Sequence, residues 1–258
     1  MSKGAILIAH NNDRYDYYRM AVSTAKRVNK YLDLPVTLIT DSGSMCDCDY
    51  TFDNVILLEP DKSNSRKKSK WINKGRYKVF DYSPYSDTIV LDTDYVVNSQ
   101  QLLEVFKTDW DFTCHKDIRW LMENCTPEWM HPTTIPTLWA TVLRFKKSRR
   151  AEQIFRIMEM VQNNYEHYAN IYRFMPYMYR NDYALTVALK TANGHIQNPQ
   201  DYFWWRLLHC SDKIKVYREN ETKYTLTTVD QTTNKKWWMT IKDVDFHMLD
   251  KDNFLEIM

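Results

Sequence analysis

The stretch Asp87-Thr88-Ile89-Val90-Leu91-Asp92-Thr93-Asp94 decides the fold of this 258-residue chain. Its apolar, β-branched centre is typical of a strand buried on both faces, as in an α/β protein. Alternate strand residues share a side, so Asp92 and Asp94 can address one cation. Carboxylate oxygens with no cysteine or histidine nearby favour Mg²⁺ or Mn²⁺ over zinc. For an isolated Asp-x-Asp pair, two solvated strand-end acids are the alternative.

Short strands and helices alternate around this stretch. Before it, strands are predicted at 5–9, 36–40 and 55–58, and helices at 17–32 and 71–82. After it, strands are predicted at 111–114 and 137–145, and helices at 102–106, 149–161 and 182–189. The alternation predicts a largely parallel sheet flanked by helices, with ligands gathered at the carboxyl ends of its strands. Asp92, Asp94, His10 and Asn11 fall at such ends.

Size and composition bound the class of protein. A chain of 31.1 kDa with 44% hydrophobic residues fits one large α/β domain rather than a disordered protein. No stretch approaches the roughly 20 apolar residues of a membrane span, and no signal sequence is recognisable, so we expect a cytoplasmic protein. The five cysteines lack Cys-x-x-Cys spacing, which argues against a disulfide framework and against a structural zinc site.

Positive charge is concentrated in two runs although the net charge is only +2. No acid lies between Lys62 and Phe80, a stretch that carries eight cations, and a second run extends from Arg144 to Arg150. Runs of this kind are most often solvated faces, but they also suit a polyanionic ligand.

The segment from Arg76 to Asp94 resembles the helix, strand and Asp-x-Asp segment of GT-A glycosyltransferases, such as glycogenin and the bacterial lipopolysaccharide galactosyltransferases. The segment from Ala5 to Tyr15 is similar to the first strand and nucleotide loop of that family, and Arg180 to Leu185 resembles a later Asp-containing element. The resemblance implies a GT-A type, Rossmann-like mixed sheet flanked by helices. It also implies a single domain over 1–258, with a nucleotide-binding half at 1–99 and an acceptor and sugar half at 100–258.

The resemblance further implies an Mn²⁺ or Mg²⁺ ion held by Asp92, Asp94 and a C-terminal histidine. His247 is the best match for that third ligand, with His195 and His209 as rivals. Lys251 matches a diphosphate-binding lysine, although the family's His-x-x-Gly-x-x-Lys spacing is not kept. The residues that the resemblance assigns to a nucleotide-sugar donor, with uridine diphosphate as the expected nucleotide, are Ala9, His10, Asn11, Tyr15, Arg76, Asp92, Thr93 and Lys251.

Asp182 matches the acid of the family's Asp-Gln pair, which lies near the donor sugar, and Tyr183 replaces the glutamine. We therefore expect Asp182 to be catalytic. A helix N-cap is the structural alternative for this residue. Tyrosines and phenylalanines recur between Tyr165 and Tyr183, where an aromatic cleft wall and ordinary core packing are both consistent with the pattern.

The sequence defines the acceptor less closely than the donor. Chains of this kind resemble viral transferases that decorate hydroxymethylated pyrimidines in DNA, which makes such DNA the expected acceptor and partner. A glycan or envelope oligosaccharide is the alternative acceptor. A non-catalytic nucleic-acid-binding protein, using the two basic runs, is the alternative function.

Overall fold

A computed structural model describes residues 2–58, 74–123, 135–176, 179–229 and 233–258. Its strands are β1 (Lys3–Ile8), β2 (Val36–Thr40), β3 (Asn54–Leu57), β4 (Asp87–Leu91), β5 (Tyr95–Val96), β6 (Phe112–His115), β7 (Ile118–Trp120), β8 (Trp139–Lys146), β9 (Leu207–Cys210), β10 (Lys215–Arg218), β11 (Lys223–Val229), β12 (Lys236–Lys242) and β13 (Phe246–Met248). Its α-helices are α1 (Tyr17–Leu32), α2 (Val79–Tyr82), α3 (Arg149–Asn163), α4 (Tyr165–Tyr172), α5 (Asn181–Ala192) and α6 (Lys251–Ile257).

The main sheet is six-stranded and mixed, in the order β3-β2-β1-β4-β8-β6. The first four strands are parallel, whereas β8 runs antiparallel to both β4 and β6. Helix α1 packs on one face of this sheet, and α3 and α5 pack on the other. Covering both faces explains why β4 is wholly apolar in its centre. The α/β class and the mixed sheet flanked by helices, both predicted from the sequence, are confirmed.

Local sequence signals account for α1. The side chain of Asp16 accepts a hydrogen bond from the Arg19 amide at the first turn, and the helix ends at Asp33 in the left-handed conformation. Ala21, Ala25 and the other apolar residues at helical spacing are buried against the sheet. The helix predicted at 71–82 is only partly formed. The chain forms a 3₁₀ turn over Lys74–Lys78 followed by the four residues of α2, and residues 71–73 lie outside the described residues.

A second sheet, in the order β5-β13-β9-β7, was not predicted because its strands have only two to four residues. Strand β13 pairs antiparallel to β5 and parallel to β9. The Met248 amide donates to the carbonyl of Asp94 at 3.0 Å, which fixes β13 beside the end of β4. A third, antiparallel sheet contains β10, β11 and β12 and was likewise missed.

Most cations of the second basic run have a partner among the described residues. Arg144 is fully buried, and two of its guanidinium nitrogens donate to Asp87 at 2.7 Å. Lys146 pairs with Asp109 at 2.7 Å. These pairings give no support to the predicted contact between residues 144–150 and a polyanion. The cations of the first run between 59 and 73 lie outside the described residues.

None of the helices within the described ranges is both long and apolar enough to cross a bilayer.

Candidate metal and donor site

Two carboxylates and an imidazole meet at the carboxyl end of β4. Asp92 and Asp94 lie in the turn between β4 and β5, and His247 comes from β13. The ligand atoms of the three residues all lie within 4.8 Å of one another. Nε2 of His247 is 3.2 Å from an oxygen of Asp94 and 4.0 Å from an oxygen of Asp92. The structure therefore brings together the three residues that the sequence assigned to a metal.

Two cations compensate the charge of these carboxylates. Arg76 donates to Asp92 and to the carbonyl of Ala140, while Lys251 donates to Asp94. Burial alone would raise the pKa of Asp94, but the charge of Lys251 outweighs it, with the nearby His247 ring acting in the same direction, and holds that pKa well below its usual range. Burial would likewise lower the pKa of Lys251, and the Asp94 carboxylate raises it instead. Both groups are therefore charged near neutral pH.

Asp92 differs from Asp94 in its electrostatics. Burial raises the pKa of Asp92, since the favourable charge of Arg76 is opposed by the neighbouring Asp94 carboxylate. The Asp92 side chain nevertheless keeps 24% of its surface exposed, whereas that of Asp94 keeps 7%. Like-charged carboxylates this close are stabilised by a cation between them. Two carboxylates and one imidazole nitrogen that converge in this way could hold a divalent metal ion, and the exposed side of Asp92 is open to a ligand.

His209 contacts the ring nitrogen of His247 that does not face the carboxylates. Its Nδ1 lies 3.1 Å from Nδ1 of His247, so one of the two nitrogens donates to the other. Burial lowers the pKa of His209 to about 2, which keeps its ring neutral. The ring packs 4.1 Å from that of Trp120 and 5.4 Å from that of Trp139, centroid to centroid. Of the two rival histidines, His209 contacts the cluster, whereas His195 lies on the exposed turn after α5.

The His209 contact fixes how His247 presents its ring. If Nδ1 of His247 carries the proton and donates it to His209, Nε2 of His247 keeps its lone pair facing the carboxylates. The sequence offered no signal for this pair beyond the presence of both histidines, because the contact depends on the parallel register of β9 and β13, which pairs His209 with His247.

The predicted nucleotide loop follows β1 and is held by hydrogen bonds to the segment after β2 and to the first turn of α1. Nδ1 of His10 lies 2.8 Å from Asp41, and the Asn11 amide nitrogen donates to the Ser44 hydroxyl at 2.6 Å. The Asn11 side-chain oxygen accepts from the Tyr18 amide at 2.9 Å. His10 and Asn11 thus shape the loop between β1 and α1, which begins beside the carboxylates at the end of β4.

Other residues of the predicted donor site border this loop. Ala9 donates its amide to Ile39 at 2.9 Å, and the carbonyl of Thr93 accepts from Thr24 at 2.7 Å. The Tyr15 ring is half-buried and lies 4.7 Å from the guanidinium of Arg14. Tyr17 also lies near Asp94 and Lys251, although the sequence did not predict it as a site residue. Burial raises the pKa of Tyr17, and the charges of Lys251 and Asp94 also act on it.

Asp182 lies one residue inside α5 and does not cap it. The N-cap of α5 is Arg180, so the structural alternative considered for Asp182 is wrong. One oxygen of Asp182 accepts from the Ala140 amide at 2.9 Å, and the other accepts from Arg180 at 3.1 Å. The carbonyl of Ala140 also accepts from Arg76, which donates to Asp92, so a single residue of β8 links Asp182 to the group formed by Asp92, Asp94 and His247.

The aromatic residues between 165 and 183 form a small core of their own. The Tyr165 ring packs 4.9 Å from both Phe174 and Tyr179. These rings surround buried Val161, Ala169 and Ala184. Core packing is therefore the role that the described aromatics of this segment fill.

Comparisons with known proteins place the chain beside glycosyltransferase structures. No family model and no curated protein matches the sequence. The chain is similar to the glycosyltransferase GlyE of Streptococcus pneumoniae, with 12% identity and a TM-score of 0.46 over 79% of this chain and 46% of that one. It is also similar to the galactosyltransferase LgtC in complex with donor and acceptor sugar analogs, with 13% identity and a TM-score of 0.47 over 72% of this chain and 70% of that one.

A third similar structure is mouse xyloside xylosyltransferase 1 in its apo form, with 10% identity and a TM-score of 0.49 over 79% of this chain and 84% of that one. The chain spans about half the length of GlyE. These proteins belong to the class that the sequence motifs predicted. Because the TM-scores lie below 0.5, the functional argument rests on the site itself.

Proposed function

We propose that the protein is a metal-dependent glycosyltransferase that moves a sugar from a nucleotide-diphosphate sugar, with uridine diphosphate as the nucleotide, to an acceptor hydroxyl. The observation that carries the proposal is the convergence of Asp92, Asp94 and His247 at a strand end, flanked by Arg76 and Lys251. Paired carboxylates that only stabilised the fold would not require the exposed side of Asp92 or an imidazole nitrogen of His247 directed at them.

Transfer of a sugar from such a donor requires stabilisation of the diphosphate as it leaves. A divalent ion held by Asp92, Asp94 and His247 would supply Lewis-acid stabilisation of the phosphate oxygens. Arg76 and Lys251 supply the positive charge of the site. Both are paired with the carboxylates, and both can donate charge-assisted hydrogen bonds to diphosphate oxygens. The loop carrying Ala9, His10, Asn11 and Tyr15, together with Thr93, is assigned to the nucleotide.

Asp182 is proposed to act at the sugar and the reacting face. Its carboxylate is held by Ala140 and Arg180, which gives it a fixed orientation rather than a free one. In this scheme residues 1–99 supply the nucleotide half and residues 100–258 supply the sugar and acceptor half. For the acceptor, a hydroxymethylated pyrimidine in viral DNA is the candidate from the sequence, and a glycan or envelope oligosaccharide is the alternative.

The test is release of nucleoside diphosphate from a panel of nucleotide sugars in the presence of Mn²⁺. We expect the wild-type protein to turn over one donor. Asp94→Asn should lower the rate on the order of 10²-fold or more, since the variant loses an anionic ligand of the ion that would stabilise the leaving diphosphate. Asp109→Asn is the matched control, because Asp109 is fully exposed and pairs only with Lys146 at the surface. Turnover that survives both Asp94→Asn and EDTA would refute the proposed metal chemistry.

A further inference from the structure

A cavity of about 480 Å³ runs along the edge strand β7, on the margin of the second sheet. Its lining comprises six consecutive residues from Ile118 to Glu123, together with Arg206 and Met239. The volume falls within the roughly 300 to 1,000 Å³ typical of small-ligand sites. Nothing in the donor site described above uses this cavity.

Two arginines, Arg119 and Arg206, border the cavity, and both side chains are exposed. Within the described ranges, no residue forms a hydrogen bond or an ion pair with either guanidinium. Most described arginines behave differently: Arg144, Arg150 and Arg156, for example, all pair with aspartates. Among the described residues, this cavity therefore has two guanidiniums without a partner at its wall.

Strand register places the two arginines side by side. Arg119 of β7 pairs with Leu208 of β9, and Arg206 precedes Leu208 by two residues. Arg206 lies immediately before β9, and continuing the strand geometry by one residue puts it on the same face of the sheet as Arg119, with the two Cα atoms roughly 8 Å apart. Adjacent like charges repel, and a bound anion removes that repulsion while accepting hydrogen bonds from both guanidiniums.

The remaining lining defines the kind of anion. Glu123 also borders the cavity, but its carboxylate is held by the Ser211 hydroxyl at 2.9 Å and forms no ion pair with either arginine. Met239 of β12 adds an apolar wall, and Trp237 lies two residues along on the same face of that strand, 56% exposed. Guanidiniums beside an apolar and aromatic surface suit a phosphate ester that carries an aromatic or apolar group.

We propose that Arg119 and Arg206 form a phosphate-ester subsite, and that the acceptor of the transfer reaction carries the phosphate it binds. The assignment to the acceptor rests on the proposed function. It is supported by position: Trp120, which lines the cavity, packs against His209, and His209 contacts the metal-directed His247. The acceptor would thus be anchored at the β7 edge while its hydroxyl reaches around that edge.

The subsite can be tested without donor or metal. In EDTA, calorimetric titration with phenyl phosphate should show binding to the wild-type protein that weakens at least about tenfold in the double variant Arg119→Gln/Arg206→Gln. Arg149→Gln is the matched control. Arg149 is another exposed arginine without a described partner, and it lies on α3 across the main sheet from β7. Phenyl β-glucoside, which lacks the phosphate, should not bind.

The outcomes separate the subsite from the proposed reaction. Equal phenyl phosphate affinity in the wild-type and double-variant proteins, or no binding to the wild type, would overturn the subsite whatever the enzyme does. A thymidine oligonucleotide that binds more tightly than phenyl phosphate, with affinity falling as salt rises, would identify a polymeric phosphodiester as the source of the phosphate. Equal affinities for the two probes would identify a small monoester.

Transfer kinetics then test the acceptor assignment. The double variant should raise KM at least about tenfold for a phosphate-bearing acceptor and leave KM for its dephosphorylated form unchanged. Equal changes for both acceptors would overturn the assignment to the acceptor while the anion site itself stands.

Discussion

Replacing His115 by phenylalanine should remove a large part of the acid sensitivity of this fold. His115 ends β6 and is completely buried, with its ring 4.4 Å from that of Phe203 and 6.2 Å from that of Trp205. Neither ring nitrogen forms a hydrogen bond of normal geometry with a described residue. Burial lowers the pKa of His115 to about 3, against a small opposing effect of the Trp205 backbone.

The sign and size of the effect follow from this pKa. Above about pH 6.5 the imidazole is neutral in both the folded and the unfolded protein, so the titration of His115 does not reduce the free energy of unfolding. As the pH falls from 6.5 towards 3, His115 becomes protonated in the unfolded chain but stays neutral in the folded chain. The free energy of unfolding therefore decreases. A shift from 6.5 to about 3 corresponds to about 5 kcal/mol in full, of which about 2 kcal/mol is lost between pH 7 and pH 5.

Urea unfolding followed by tryptophan fluorescence at several pH values between 5 and 7 measures this loss. His115→Phe keeps an aromatic ring against Phe203, and the difference between its pH slope and that of the wild type isolates the titration of one residue. His167→Phe is the control, because His167 is exposed on α4 and its replacement should leave the wild-type slope in place. Parallel pH profiles for the wild type and His115→Phe would refute the reasoning.

Three further substitutions test the architecture of the site. His209→Phe should weaken Mn²⁺ binding about 10- to 100-fold in a calorimetric titration, with partial recovery in His209→Asn, whose amide oxygen can accept from His247; unchanged affinity in His209→Phe would contradict the orienting role. Asp87→Asn should lower the free energy of unfolding in urea by about 3 to 5 kcal/mol, because Arg144 is left buried without its partner; a change below about 1 kcal/mol would contradict it. Asp182→Ala should lower kcat at least about tenfold in the transfer assay and Asp182→Asn less, since an asparagine oxygen can still accept from the Ala140 amide; wild-type rates in both would remove Asp182 from the reaction.

Local patterns in the sequence determined the elements that carry the donor half of the site. The run from Asp87 to Leu91 forms a strand with the predicted bounds, because Ile89, Val90 and Leu91 put apolar side chains on both faces of a sheet that is covered on both. Helix α1 follows for the same kind of reason, since its spacing buries one stripe against the sheet. The placement of Asp92 and Asp94 at a strand end was therefore contained in the local sequence.

Resemblance to a family, rather than any pattern in the residues, singled out His247, Lys251 and Arg76. Strand β13 is only three residues long and carries no readable alternation. Its position depends on pairing with β5 and β9, which lie far away along the chain. The sequence could name His247 as a ligand candidate, but only this pairing brings its Nε2 to 3.2 Å from Asp94.

Only the tertiary structure decided which charges are free. In the sequence, Arg144 belongs to a basic run and Arg119 stands alone, yet Arg144 is buried against Asp87 whereas Arg119 shares a cavity with Arg206. The physical reason is that strand periodicity and helical spacing are encoded within a few neighbouring residues, while the partner of a charge is set by strand register and by contacts between segments distant in sequence. Local sequence therefore determined where the carboxylates lie, and tertiary structure determined which cations face them and which remain available to a ligand.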